Sequence, residues 1–219
     1  MSLIDASRDG NLDAVRELLS VSGGEVDPNI TDEDGRTPLY WASLYGHLEV
    51  VKLLLSVGAD PNIADKYGDT PLFTASSDEC LEVVKVLLAE GVGADPNLTD
   101  QYGSTPLYWA SHNGYLEIVK ALLHTEGAKG ADPDIANTEG NTPLFWASAY
   151  GYSEIVKELL RAGANPSIID RDGETTLYLT DKVEIFEELE NYFPSLFHLS
   201  LRLLRKFKID ISSVSFLIN

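Results

Sequence analysis

One block of sequence comes back along the chain. "TPLYWASLYGHLEVVKLLL" (Thr37–Leu55) returns as "TPLYWASHNGYLEIVKALL" (Thr105–Leu123) and as "TPLFWASAYGYSEIVKELL" (Thr142–Leu160), with weaker copies opening at Thr70 and Thr175. The successive Thr-to-Thr intervals are 33, 35, 37 and 33 residues. A period of this size marks a supersecondary unit that cannot bury its apolar side alone and must stack on its neighbours. The extra residues fall at one point, as "LLSVGADPN", "LLAEGVGADPN" and "LLHTEGAKGADPD" show. Length change confined to one point implies a loop that leaves the stacking undisturbed.

Each copy reads as helix–turn–helix. Thr caps the first helix and Pro occupies its first position, where no N–H is required. That short helix ends near Gly46, Gly114 or Gly151, where a left-handed residue fits. In the second helix Leu48, Val51, Leu54 and Leu55 recur at helical spacing, and "GADPN" stops it. Between units, "IADKYGD" reads as an exposed turn. Trp41, Trp109 and Trp146 hold one equivalent position and are the only tryptophans. Leu39 and Ala42 share a helix face, whereas Trp41 lies about 200° round from Leu39, off that inward stripe.

These residues resemble the ankyrin repeat: Gly-x-Thr-Pro-Leu-His-x-Ala-Ala, then Gly-His, a Val/Leu-rich helix and Gly-Ala-Asp. "GRTPLYWASLYGHLEVVKLLLSVGADPN" matches nearly every defining position, and the likeness runs through most of residues 3–190. The resemblance implies an all-α ankyrin-repeat solenoid over residues 1–193, of about six units counting irregular caps. A C-terminal helical segment follows over 194–219.

Several positions depart from the pattern. Leu3–Ser20 lacks the TPL opening and reads as an N-terminal cap. Gly173–Glu190 has lost residues where its helix-joining turn belongs. The third unit puts Glu79 where the others have Gly, and Cys80 where the second has His47. Either Glu79 keeps positive φ, strained by about 1 kcal/mol, or the turn has another shape, and both predict the weakest stacking at the third unit. The family's His after TPL is replaced by Tyr40, Phe73, Tyr108, Phe145 and Tyr178, which predicts apolar packing in place of part of a hydrogen-bond network.

No residue pattern supports catalysis. His47, His112, His124 and His198 form no metal-ligand pair by spacing, and no glycine-rich phosphate loop is present. "DEDG" (Asp32–Gly35) lacks the spaced ligands of a calcium loop. Cys80 has no adjacent base by sequence. The expectation is therefore a protein that is not an enzyme and needs no cofactor or metal. The formal net charge of −19 opposes a nucleic-acid partner. A single cysteine fits a reducing compartment, and no apolar run approaches a membrane span. The localisation expected is cytoplasmic, with the nucleus open.

The resemblance implies that the short first helices line a concave face, with the loop tips beside them. Its variable positions carry over onto Arg36, Tyr45, Lys66, Tyr67, Asp69, Tyr102, Ser104, His112 and Tyr150, among others. With Trp41, Trp109 and Trp146 added, the result is an acid-rimmed aromatic groove, interrupted at Thr74 where the second, fourth and fifth units have Trp. Trp and Tyr dominate interface hot spots. The expected function is a protein-interaction scaffold whose partner carries Lys or Arg, with Trp109 and Trp146 as the hot spot.

The last segment changes character. "PSLFHLSLRLLRKFKIDISSVSFLIN" (Pro194–Asn219) is basic, and Leu196, Leu199, Leu203 and Leu204 mark a helical face. It is similar to the start of a suppressor-of-cytokine-signalling box, Ser-Leu-x-His-Leu-Cys-x-x-x-aliphatic. Ser195, Leu196, His198, Leu199 and Leu204 match, and Ser200 stands where the Cys belongs. That likeness implies an elongin C contact through Leu196, Leu199, Ser200 and Leu204, and so a ubiquitin-ligase adaptor. Both prolines of the downstream cullin-recruiting motif are missing near Val214–Leu217. The other reading is a helix that caps the last repeat.

Overall fold

The computed structural model describes residues 1–21, 26–125 and 130–173. The expectations for the sixth unit, for the tail and for Leu196, Leu199, Ser200 and Leu204 lie outside these residues. Within them the chain forms five helix pairs. The short first helices are α1 (Leu3–Arg8), α3 (Pro38–Leu44), α5 (Pro71–Ser77), α7 (Pro106–Asn113) and α9 (Pro143–Ala149). The second helices are α2 (Leu12–Val21), α4 (Leu48–Ser56), α6 (Leu81–Leu87), α8 (Leu116–Leu123) and α10 (Ser153–Arg161). First helices stack on first helices and second on second, in chain order.

The TPL signature does what its chemistry demands. Thr37, Thr70, Thr105 and Thr142 each accept a bond at Oγ1 from the amide three residues on, at 3.0 to 3.2 Å. The first unit lacks this opening, and Ser2 substitutes with a reciprocal capping box to Asp5. Leu39, Leu72, Leu107 and Leu144, with Ala42, Ala75, Ala110 and Ala147, are buried between successive units. Each leucine removed from water in this way contributes roughly 1.5–3 kcal/mol. The expectation of apolar packing after TPL holds in part. Tyr40, Phe73, Tyr108 and Phe145 are all buried, yet Tyr108 keeps polar partners.

Two ladders staple unit to unit. At the loop tips, one backbone bond crosses each junction: Lys66 N to Asp34 O, Gln101 N to Tyr67 O, Thr138 N to Tyr102 O and Arg171 N to Glu139 O, at 2.6 to 2.9 Å. After the second helices, Asn29, Asn62, Asn97 and Asp134 each accept at Oδ1 from the amide of the following unit, at 2.7 to 2.8 Å.

The helix-joining turns explain both irregular residues of the third unit. Gly46, Gly114 and Gly151 have φ of 68°, 82° and 73°. Glu79 takes the same shape at φ 61°, the sole non-glycine with positive φ among the described residues. His47 Nε2 meets the carbonyl of Arg8 at 3.0 Å, one unit back. Cys80, in the equivalent place, reaches Leu44 O with its Sγ only at 3.8 Å. Glu79→Gly is expected to raise the unfolding free energy by about 0.5–1 kcal/mol, the strain released less the extra chain entropy. Urea denaturation measures it, and an unchanged or lower midpoint would show that the turn holds no strain.

Candidate functional site

The first helices and the loop tips present aromatic side chains in two groups, one around Trp41 and one running from Phe73 to Tyr150. Tyr45, Tyr67, Tyr102 and Tyr150 are 54%, 39%, 61% and 43% exposed. The three indoles lie lower and are only partly exposed. The off-stripe position of the indole follows from helix geometry, but its neighbours differ in each repeat.

Trp41 is enclosed by cations of its own chain. Its N–H donates to Asp32 Oδ2 at 3.1 Å. The Arg36 and Arg8 guanidinium groups lie 5.2 and 5.5 Å from its ring centre, and Tyr45 stacks on it at 6.0 Å. The cation–π contact expected from a partner at this position is thus already made internally.

Trp146 is tied into a network. Its N–H donates to the Tyr108 hydroxyl at 2.6 Å, and that hydroxyl also accepts from Asn137 Nδ2 at 3.2 Å. Tyr150 stacks on the indole at 5.4 Å, and His112 meets it edge-on at 5.0 Å. His112 Nε2 lies 3.2 Å from the Tyr150 hydroxyl, and its Nδ1 lies 3.0 Å from Asn113 Oδ1. Burial raises the Tyr108 phenol above its ordinary range, opposed by the bond from Trp146.

Trp109 is the exception. His112 links it to Trp146 across 5.3 Å, and Phe73 meets it edge-on at 6.4 Å. Its N–H is buried without a hydrogen-bond partner. The cause is legible one unit back: Tyr108 supplies the oxygen that Trp146 uses, and at the same place before Trp109 stands Phe73. A buried unpaired N–H costs about 1–3 kcal/mol. Phe73→Tyr is therefore expected to raise stability by about 1 kcal/mol and to move the Trp109 indole proton downfield in the NMR spectrum. No change in either would mean that the ring cannot present its oxygen there.

Beside Trp109 lies a cleft of about 220 Å³ lined by Tyr67, Asp69, Phe73, Asp100, Gln101, Tyr102 and Trp109. It sits at the interrupted rung, because the copy that should project an indole there has the buried Thr74. Burial, then Asp65, then Asp100 push the Asp69 carboxyl up to about 6, with Arg36 opposing them. Asp69 is thus an acid held close to other acids in a partly dry place.

The structure brings Tyr67, Tyr102 and Trp109 together at this cleft, and joins Trp109, His112, Trp146 and Tyr150 in an unbroken row. Trp41 and Tyr45 form a separate cluster at the N-terminal end. Sequence reasoning did not assign the Tyr108 hydroxyl as a hub, nor the pairing of Asp69 with Asp100. Aligning the copies column by column carries that signal, since Tyr alternates with Phe at one column and Arg36 gives way to Asp69 at another. Among the described residues, no group of His, Cys, Asp and Glu is placed to hold a metal ion. No described helix is long and apolar enough to cross a membrane.

A family model described as Ankyrin repeats (3 copies) matches residues 3–100 and 92–170. A crystallised ankyrin repeat protein, EF0377, is 27% identical and superposes with a TM-score of 0.75, covering 88% of this chain and 96% of that one. An ankyrin repeat domain from Acinetobacter baumannii AYE is 29% identical, with the same TM-score of 0.75 over 88% and 96% of the two chains. Palmitoyltransferase akr1 of Schizosaccharomyces pombe is 43% identical over 58 residues, which are 26% of this chain and 9% of that protein.

Proposed function

Since this chain belongs to the ankyrin-repeat family, whose repeats are generally protein–protein interaction modules, we propose that it is a non-catalytic scaffold that binds a protein on its loop-tip and first-helix face. The observation that carries this reading is the row of exposed tyrosines above part-exposed indoles on one face. Such rings supply large contact area with few rotatable bonds, which is why they anchor interfaces. The net charge of −19 and the acidic loop tips favour a partner rich in Lys and Arg.

The test is affinity capture with the full chain, identification of the bound protein by mass spectrometry, and titration with variants. Tyr67→Ala, Tyr102→Ala and Tyr150→Ala should each weaken the complex about threefold to tenfold, the first two with an unchanged melting temperature and the third with a lowered one, since Tyr150 stacks on Trp146. Undiminished affinity in all three would place the interface elsewhere. The adaptor reading rests on the residues Leu196, Leu199, Ser200 and Leu204. Co-purification with elongin C that is lost on Leu196→Asp supports it, and absence of elongin C from the wild-type capture removes it.

A further inference from the structure

We propose that the cleft between the third and fourth loop tips receives the guanidinium group of an arginine side chain on the protein partner. This rests on the protein-binding reading and adds the chemistry of one contact to it.

The inference comes from comparing equivalent junctions. The residues before Thr37, Thr70 and Thr105 are Arg36, Asp69 and Ser104, and the equivalent turn residues of the following loops are Asp65, Asp100 and Asn137. At the first junction Arg36 Nε meets Asp65 Oδ2 at 3.4 Å, with its guanidinium 5.8 Å from the Tyr40 ring centre and 5.2 Å from that of Trp41. At the third junction both residues are neutral. At the second, Asp69 and Asp100 line one cleft. Among the described residues neither has an ion-pair partner.

The acid that holds a guanidinium at the first junction is thus present at the second, with Phe73 for Tyr40 and Thr74 for Trp41, and the cation is missing. Asp100 is 8% exposed, and its Oδ1 is committed to the amides of Tyr102 and Ser104 at 2.8 Å each. Its Oδ2 is the counterpart of the Asp65 atom that meets Arg36 at the first junction. Burial raises the Asp69 carboxyl, and the charges of Asp65 and Asp100 raise it further against the opposing Arg36. Thr74 in place of Trp leaves the room, about 220 Å³, and Phe73, Trp109, Tyr67 and Tyr102 supply the ring surfaces. Lys66, a cation on this surface, is committed to Asp34 and lies 5.0 Å from the Tyr67 ring centre. A planar fork can engage two carboxylates and lie on ring faces at once, whereas a compact ammonium cannot do both.

The test titrates the full, isotope-labelled chain with the blocked tripeptide acetyl-Gly-Arg-Gly-amide, and with its citrulline and lysine counterparts. The arginine peptide should shift the Trp109 indole and the Tyr67 and Tyr102 amides saturably in the millimolar range, leaving the Trp41 indole in place. Citrulline, which has the shape without the charge, should bind at least tenfold more weakly. Asp100→Asn should cut arginine binding about tenfold without disturbing the turn, since Asn137 makes that turn in the next loop. Asp69→Arg should abolish binding by filling the cleft from within.

No saturable shift at Trp109, or equal shifts with citrulline, would overturn the cation pocket. Equal shifts with lysine would overturn the guanidinium assignment. Because the peptides need no identified partner, such a failure leaves the tyrosine result standing. Loss of the tyrosine effect with peptide binding intact would instead remove the wider reading alone.

Discussion

Trp146→Ala lowers the unfolding free energy by about 3 kcal/mol. The indole lies between Tyr150 and His112, and its N–H ends on the Tyr108 hydroxyl at 2.6 Å. Truncation empties that space, frees the Tyr150 ring to solvent and deprives the buried Tyr108 of a partner. Trp146→Phe separates these contributions. It restores most of the packing but not the bond, so its loss is about 1 kcal/mol. Trp41→Ala also removes an indole, but one whose neighbours are flexible arginine side chains that can follow the new surface. Urea denaturation of the variants measures the ranking. A Trp146→Ala protein as stable as the parent would show that the ring is mere surface and that the Tyr108 network has no energetic weight.

Asp69→Asn stabilises the protein at neutral pH and not at pH 4. The carboxyl titrates at about 6 in the fold and near 3.9 in an unfolded chain. Below pH 4 it is protonated in both states and has no effect. Between pH 4 and 6 the unfolded chain releases the proton while the folded one retains it, so stability falls as pH rises. Above pH 6 both are ionised and the loss is complete. Asn cannot ionise, so the difference between variant and parent should grow across this window and then level off at about 2 kcal/mol, a value discounted for the partial exposure of the site. Lowered carboxyls elsewhere, such as Asp34 paired with Lys66, act oppositely but cancel in the difference. A pH-independent difference would mean that Asp69 is as well solvated as any surface acid.

The fold was legible because its determinants are local. A Thr–Pro start, a glycine at the joining turn and Leu–Ala spacing are sequence-adjacent signals, and the second, fourth and fifth pairs carry all of them. Glu79 was half legible: its place in the turn was plain, but whether it would keep the glycine shape or change the turn was decided only in the fold, where φ is 61°. The tryptophans were half legible. Helix spacing moved all three off the inward stripe but could not say what each would meet, because those neighbours come from the adjacent unit. Arg8 near Trp41 and Phe73 against Trp109 lie more than thirty positions away in sequence. Whether an indole is satisfied, enclosed or left with an idle donor is decided by the column register of two repeats.

The loop-tip ladder has a mechanical consequence. A single backbone bond joins each pair of tips, and units touch only their sequence neighbours, so the cooperativity of the array is limited by its poorest joint. The third unit concentrates the defects: a Glu in a glycine conformation, a thiol reaching a carbonyl from 3.8 Å, and two carboxylates in one cleft. The weakest joint is therefore expected near the middle of the groove, where the array would hinge. A ligand that spans Tyr67 and Tyr102 acts as a splint across that hinge. Its binding energy then appears twice, once as affinity and once as a more cooperative melting of the whole array.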